Sequence, residues 1–78
     1  MSFLITLIEE EEMKELQAWQ QRVLDEKENL DNKLRSLSSF LILEGFRKLE
    51  DRDQELLERQ EALMKELSRV LEERISRF

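Results

Sequence analysis

Basic and aromatic side chains interrupt the apolar columns of this sequence, and those interruptions offer the most chemistry. Arg74 stands among Val70, Leu71, Ile75 and Phe78. Lys27 falls on the same helical stripe as Leu30 and Leu34, Arg22 follows Trp19 by one turn, and Arg47 and Lys48 come directly after Phe46. A guanidinium beside an aromatic ring can hold a planar base and a phosphate, the ring by stacking and the cation by forked hydrogen bonds. Trp19, Arg22, Lys27, Phe46, Arg47 and Arg74 therefore form the candidate ligand-binding set. The same side chains have a plainer use. Long cationic stems cover apolar surface while their heads pair with nearby carboxylates, and a tryptophan anchors a core.

Catalysis has little to work with. The chain has no Cys and no His, so a Ser nucleophile would need a Lys base, and no such pair stands out. Glu11-Glu12-Met-Lys-Glu15 and Glu28-Asn-Leu-Asp31 imitate the paired carboxylate motifs with which all-α nucleoside-triphosphate pyrophosphatases hold Mg²⁺. On one uninterrupted helix these motifs would lie about 20 Å apart and could not share a metal cluster within one chain. Asp51, Asp53 and Glu55 imitate the opening of a calcium loop, but Leu56 takes the place of the required glycine. The expectation is a protein without catalytic residues, metal or cofactor.

The elements that must position the basic and aromatic set are long helices. Charged residues make up 41% of 78 residues, with one glycine (Gly45) and no proline, so little stops a helix once begun. A chain this short forms one domain with a marginal core, and without Cys or His neither a disulfide nor a zinc site of the usual kind can reinforce it. Self-association remains. A net charge of −6 argues against a nucleic-acid polymer or an anionic membrane as partner. The apolar segment 1–8 has no basic start, is too short to span a bilayer and runs into Glu9–Glu12, so it reads as packing surface. A cytoplasmic location fits the lack of cysteine.

The pattern predicts an all-α fold. A long helical hairpin, with a short helix or turn between its arms, is assembled into an oligomeric helical bundle. Helix one is expected over about 7–37, opened by a capping box at Thr6-Leu-Ile-Glu9 and about 45 Å long. Its apolar stripe runs Met13, Leu16, Val23, Leu30, Leu34, Leu37 and Leu41, with Gln20 and Lys27 as polar intrusions. The turn or short helix spans 38–52, where Ser38-Ser39 can cap and Gly45 alone is free to take a positive φ. Helix two is expected over about 53–77, opened by a second capping box at Asp51-Arg-Asp-Gln54. It carries adjacent columns Leu57, Met64, Leu71, Phe78 and Leu56, Leu63, Val70, with Gln60, Leu67 and Arg74 between them. That belt is wider than a dimeric coiled-coil seam, so one antiparallel helix cannot cover it. Leu56, Leu57, Gln60, Leu63, Met64, Leu67, Val70, Leu71 and Phe78 are accordingly the candidate oligomer interface.

Trp19-Gln-Gln-Arg22-Val23, Glu26, Leu30, Lys33-Leu34, Leu37, Phe40, Phe46, Leu49, Leu56-Leu57, Gln60, Met64, Leu71, Arg74-Ile75 and Phe78 form a series over about residues 16–78. The series resembles a family of short helical proteins of tailed phages, known mostly from a crAss-like phage member. Members often have Tyr where this chain has Leu67. The resemblance implies a phage accessory protein acting in the host bacterial cytoplasm. By analogy with other phage proteins of this size, the expected activity is non-catalytic binding that counters host defence. The most concrete ligand is a nucleotide-derived immune signal held in pockets between subunits by Arg22, Arg47 or Arg74, with Trp19 or Phe46 stacking. The competing reading is a structural or protein-interaction module that docks a host or phage protein.

Overall fold

The computed structural model describes residues 16–78, and they form two long antiparallel helices joined by a short one. Helix α1 spans Ala18–Leu41, α2 spans Glu44–Arg47 and α3 spans Asp51–Ser76. The apolar segment 1–8, the Thr6 capping box, Met13 and the Glu11-to-Glu15 motif lie outside the described residues.

Neither long helix contains glycine or proline, and each carries apolar side chains at alternating spacings of three and four. The expected start of helix one near residue 7 lies outside the described residues, within which α1 begins at Ala18. Gln17 is extended (φ −62°, ψ 153°) and starts α1. Gln20 reaches back so that its Oε1 accepts the Gln17 backbone N–H at 2.8 Å, meeting one of the donors that a helix start leaves unpaired. α1 then continues through Leu41 rather than ending near 37. Ser38 and Ser39 sit inside it and cap nothing.

The reversal also differs from expectation. No residue takes a positive φ among those described, Gly45 included. The chain turns through successive i→i+3 bonds instead. Leu43 N–H donates to Phe40 O at 3.0 Å, Phe46 N–H to Leu43 O at 3.1 Å, and Leu49 N–H to Phe46 O at 3.1 Å. These tight turns need only right-handed and extended backbone. Gly45 has φ freedom that the turn does not use, and a Cβ there would make ordinary contact, 3.6 Å from Phe40 Cε1.

Helix α3 begins at Asp51, with Glu50 extended before it (φ −60°, ψ 149°). The expected reciprocal cap does not form. Gln54 instead donates its Nε2 backwards, to Leu49 O at 2.8 Å and Arg47 O at 3.2 Å, tying the turn to the new helix. Asp51 and Asp53 occupy the first turn and Arg74 the last, each where the helix dipole favours its charge.

The core is thin. Among the described residues only Val23, Phe46 and Leu71 are buried apolar side chains. Leu24, Leu30, Leu34, Leu37, Leu41, Leu57, Met64 and Ile75 are half-buried along the seam between α1 and α3. Fully burying a side chain such as Leu71 contributes about 1.5–3 kcal/mol, so this seam supplies only modest stability.

Candidate functional site

Lys27, one of the two polar intrusions of the α1 stripe, proves to be a seam contact. Lys27 Nζ lies 2.6 Å from Asp31 Oδ2, one turn further along the same helix. Ser68 of α3 donates its hydroxyl to the other carboxylate oxygen, Oδ1, at 2.6 Å, and its Oγ is 3.5 Å from Lys27 Nζ. The hydrogen bond from Lys27, then that from Ser68, holds Asp31 below the usual carboxylate range. The bond to Asp31 in turn holds Lys27 above the usual lysine value. One heptad on, Ser38 Oγ donates to Glu61 Oε2 at 2.6 Å while Lys65 Nζ sits 3.4 Å from Oε1. The Ser38 bond is the main cause of a lowered Glu61 pKa. A ligand seeking Lys27 would have to compete with Asp31 and Ser68.

The open end of the hairpin joins Trp19 of the candidate ligand-binding set to Phe78 of the candidate oligomer interface. Trp19, 48% exposed, meets Phe78 edge to face with ring centroids 5.2 Å apart. This contact sets the Phe78 column of α3 toward the Trp19 side of α1, whereas the Asp31–Ser68 bond sets the Ser68 column on the other side. The Gln60, Leu67 and Arg74 column adjoins the Phe78 column and so shares the Trp19 side. Arg22 is one turn from Trp19, and Arg74 is one turn from Phe78. Both are exposed, and neither forms an ion pair among the described residues. A shallow cleft of about 500 Å³ runs from Arg22 to Lys33 along α1, with Asp25 and Glu26 also lining it. The open end thus places Trp19, Phe78, Arg22 and Arg74 on one side of the hairpin, while the cleft that begins at Arg22 includes neither Trp19 nor Arg74 and is lined by carboxylates as well as cations.

The turn end offers less. Phe46 is 7% exposed and packs edge-on against Phe40 at 6.1 Å, so its ring is core and the stacking role cannot fall to it. Arg47 is exposed on the neighbouring surface. It lies beyond the far end of α1 from Arg22, so the structure does not bring these two candidates together within one chain.

The expected oligomer belt divides in two. Leu71 is 2% exposed, and it continues the half-buried column of Leu57 and Met64 in the seam with α1. These belong to the hairpin itself, as does the Phe78 contact with Trp19. Leu56, Leu63, Leu67 and Val70 remain exposed, Leu63 at 67%. Leu56, Leu63 and Leu67, with Arg59, Gln60 and Met64, line an apolar groove of about 490 Å³ whose walls all come from α3.

Sequence reasoning missed Ser68, Asp31, Ser38 and Glu61 as seam residues. Their signal was positional: Asp31 and Ser38 share one heptad column, and Glu61 and Ser68 share another.

Fold and surfaces together define a small helical-hairpin protein. Its polar groups are spent on register and ion pairing, with an open aromatic and basic end. The Sequestin family model matches residues 17–77, and the chain belongs to that family. No curated protein and no solved structure matches it.

Proposed function

We propose that this chain is a non-catalytic binding protein of phage type that counters host defence by sequestering a nucleotide-derived immune signal. It would do so as a homo-oligomer, with pockets between subunits in the cytoplasm of an infected bacterium. The Trp19–Phe78 pair, with Arg22 and Arg74 each one turn away, is the observation that carries the reading. Stacking needs an accessible ring, and phosphate recognition needs cations not already paired. Only this end of the hairpin supplies both among the described residues. The Sequestin family name supports binding and retention of a small molecule rather than its conversion. Arg47 enters such a site only if a neighbouring copy brings its turn end to the Trp19 end of the first.

Melting the purified protein against cyclic dinucleotides, cyclic trinucleotides and ADP-ribose derivatives tests the proposal. A ligand at a hundredfold excess over its Kd stabilises the folded state by about 2.7 kcal/mol. A rise in Tm with at least one panel member is expected. No shift with any of them would overturn the nucleotide reading.

The second reading, a module that docks a host or phage protein, draws on the exposed α3 leucines. It predicts that this groove stays open in the purified oligomer.

A further inference from the structure

Helix α3 carries two heptad stripes, and α1 covers one. Gln54, Leu57, Glu61, Met64, Ser68, Leu71 and Ile75 alternate at three and four residues and form the seam with α1. Leu56, Gln60, Leu63, Leu67, Val70 and Arg74 repeat the same alternation about 100° further round the helix and face solvent. Two such stripes at this angle are what a helix at the corner of a four-helix bundle needs, one for each neighbour.

We infer that the second stripe is the docking seam for α3 of a second copy, antiparallel and related by a two-fold axis that passes between Leu63 and Leu67. The inference rests on the self-association in the proposed function and specifies its geometry. The stripe is self-complementary when reversed. About that axis Leu63 meets Leu67 of the second copy, Gln60 meets Val70, and Leu56 meets the stem of Arg74, each contact occurring twice. Every polar member thus faces an apolar one. A parallel pairing in register would set Arg74 against Arg74 and Gln60 against Gln60.

The flanking charges agree. Arg59 and Glu73 border the stripe and oppose one another twice in the antiparallel register, an attractive pair on each side of the axis. Glu66 alone faces its own copy, and Arg69 Nη2 already neutralises it at 2.9 Å. The groove along Leu56, Leu63 and Leu67 has no second wall among the described residues, and the reversed α3 supplies one.

The chain has no cysteine, so single thiols report the register cleanly. Leu63→Cys mixed with Leu67→Cys should give, on mild oxidation, a disulfide-linked heterodimer well above what either variant gives alone. Gln60→Cys mixed with Val70→Cys should do the same while leaving the leucines in place, which guards against loss of the interface in the first pair. Efficient self-linking of Leu63→Cys, with no gain on mixing, would overturn the antiparallel register while leaving self-association standing. A chain that sediments as a 9.5 kDa monomer would overturn both.

Discussion

Ser68 on α3 donates its hydroxyl to the Asp31 carboxylate on α1 at 2.6 Å, and the two residues mark the register of the whole hairpin. Seven residues later on α1 and seven earlier on α3, Ser38 and Glu61 make the second such rung, also at 2.6 Å. Between the rungs Leu34, Leu37 and Met64 make the seam apolar. Polar rungs at heptad spacing fix which turn of one helix meets which turn of the other, since any slip leaves half-buried groups without partners.

Ser68→Ala should cost about 1 kcal/mol of stability, the net worth of one such hydrogen bond. Urea unfolding with an unchanged m-value would show it. Asp31→Ala should cost more, because it leaves Lys27 in the seam without its carboxylate.

The rungs also set a pH dependence. Asp31 and Glu61 both titrate below their ordinary range in the folded chain, through bonds from Lys27, Ser68 and Ser38. A carboxylate depressed on folding stabilises above its unfolded value and loses that contribution as the pH falls through the folded one. Tm should therefore hold from neutrality to about pH 5 and decline below about pH 4. Lys27 has the opposite sign: its contribution is full below the ordinary lysine range and is lost only at strongly alkaline pH. The Ser38→Ala, Ser68→Ala double variant should lose less Tm on acidification than the parent, because its carboxylates titrate nearer their unfolded values.

Leu71 and Leu63 should separate the two stripes of α3. Leu71→Ala removes a side chain that is 2% exposed, and such changes cost about 2–5 kcal/mol, enough to unfold so thin a core. Leu63→Ala removes one that α1 does not cover. Circular dichroism should show helix loss for the first. For the second, helix content should persist at high concentration, with association weakened.

Trp19→Ala and Arg74→Ala should each remove most of the Tm gain given by a nucleotide ligand, and Arg47→Ala should remove part of it, since antiparallel pairing of α3 brings the turn end of the second copy to the Trp19 end of the first. Gln54→Ala is the control. It loses the bonds to the Arg47 and Leu49 carbonyls, about 1 kcal/mol, and should lower the starting Tm without changing the ligand increment.

Much of this was readable in advance. The two long helices follow from the near absence of Gly and Pro, and the broad belt of α3 from its columns. What was not readable has physical reasons. Lys27 looked like a flaw in the stripe because its partners, Asp31 and Ser68, are residue types that normally face water, and only the pairing of α1 with α3 buries them partway. Phe46 looked like a ligand platform because nothing in sequence shows that Phe40 folds back onto it. Gly45 suggested a left-handed turn, yet the tight turns use right-handed and extended backbone throughout. Gln54 fitted a capping box, but the carbonyls of the preceding turn came within reach first. The split of the α3 belt, Leu71 inward and Leu63 outward, depended on where α1 docks.

The central claim is that one hairpin leaves half of the α3 belt uncovered and that copies of the chain close around it. Sedimentation equilibrium across a range of micromolar concentrations tests this most directly. A mass that is a multiple of 9.5 kDa is expected, with a Tm that rises with protein concentration. A compact 9.5 kDa species melting cooperatively at the same temperature at every concentration would contradict it.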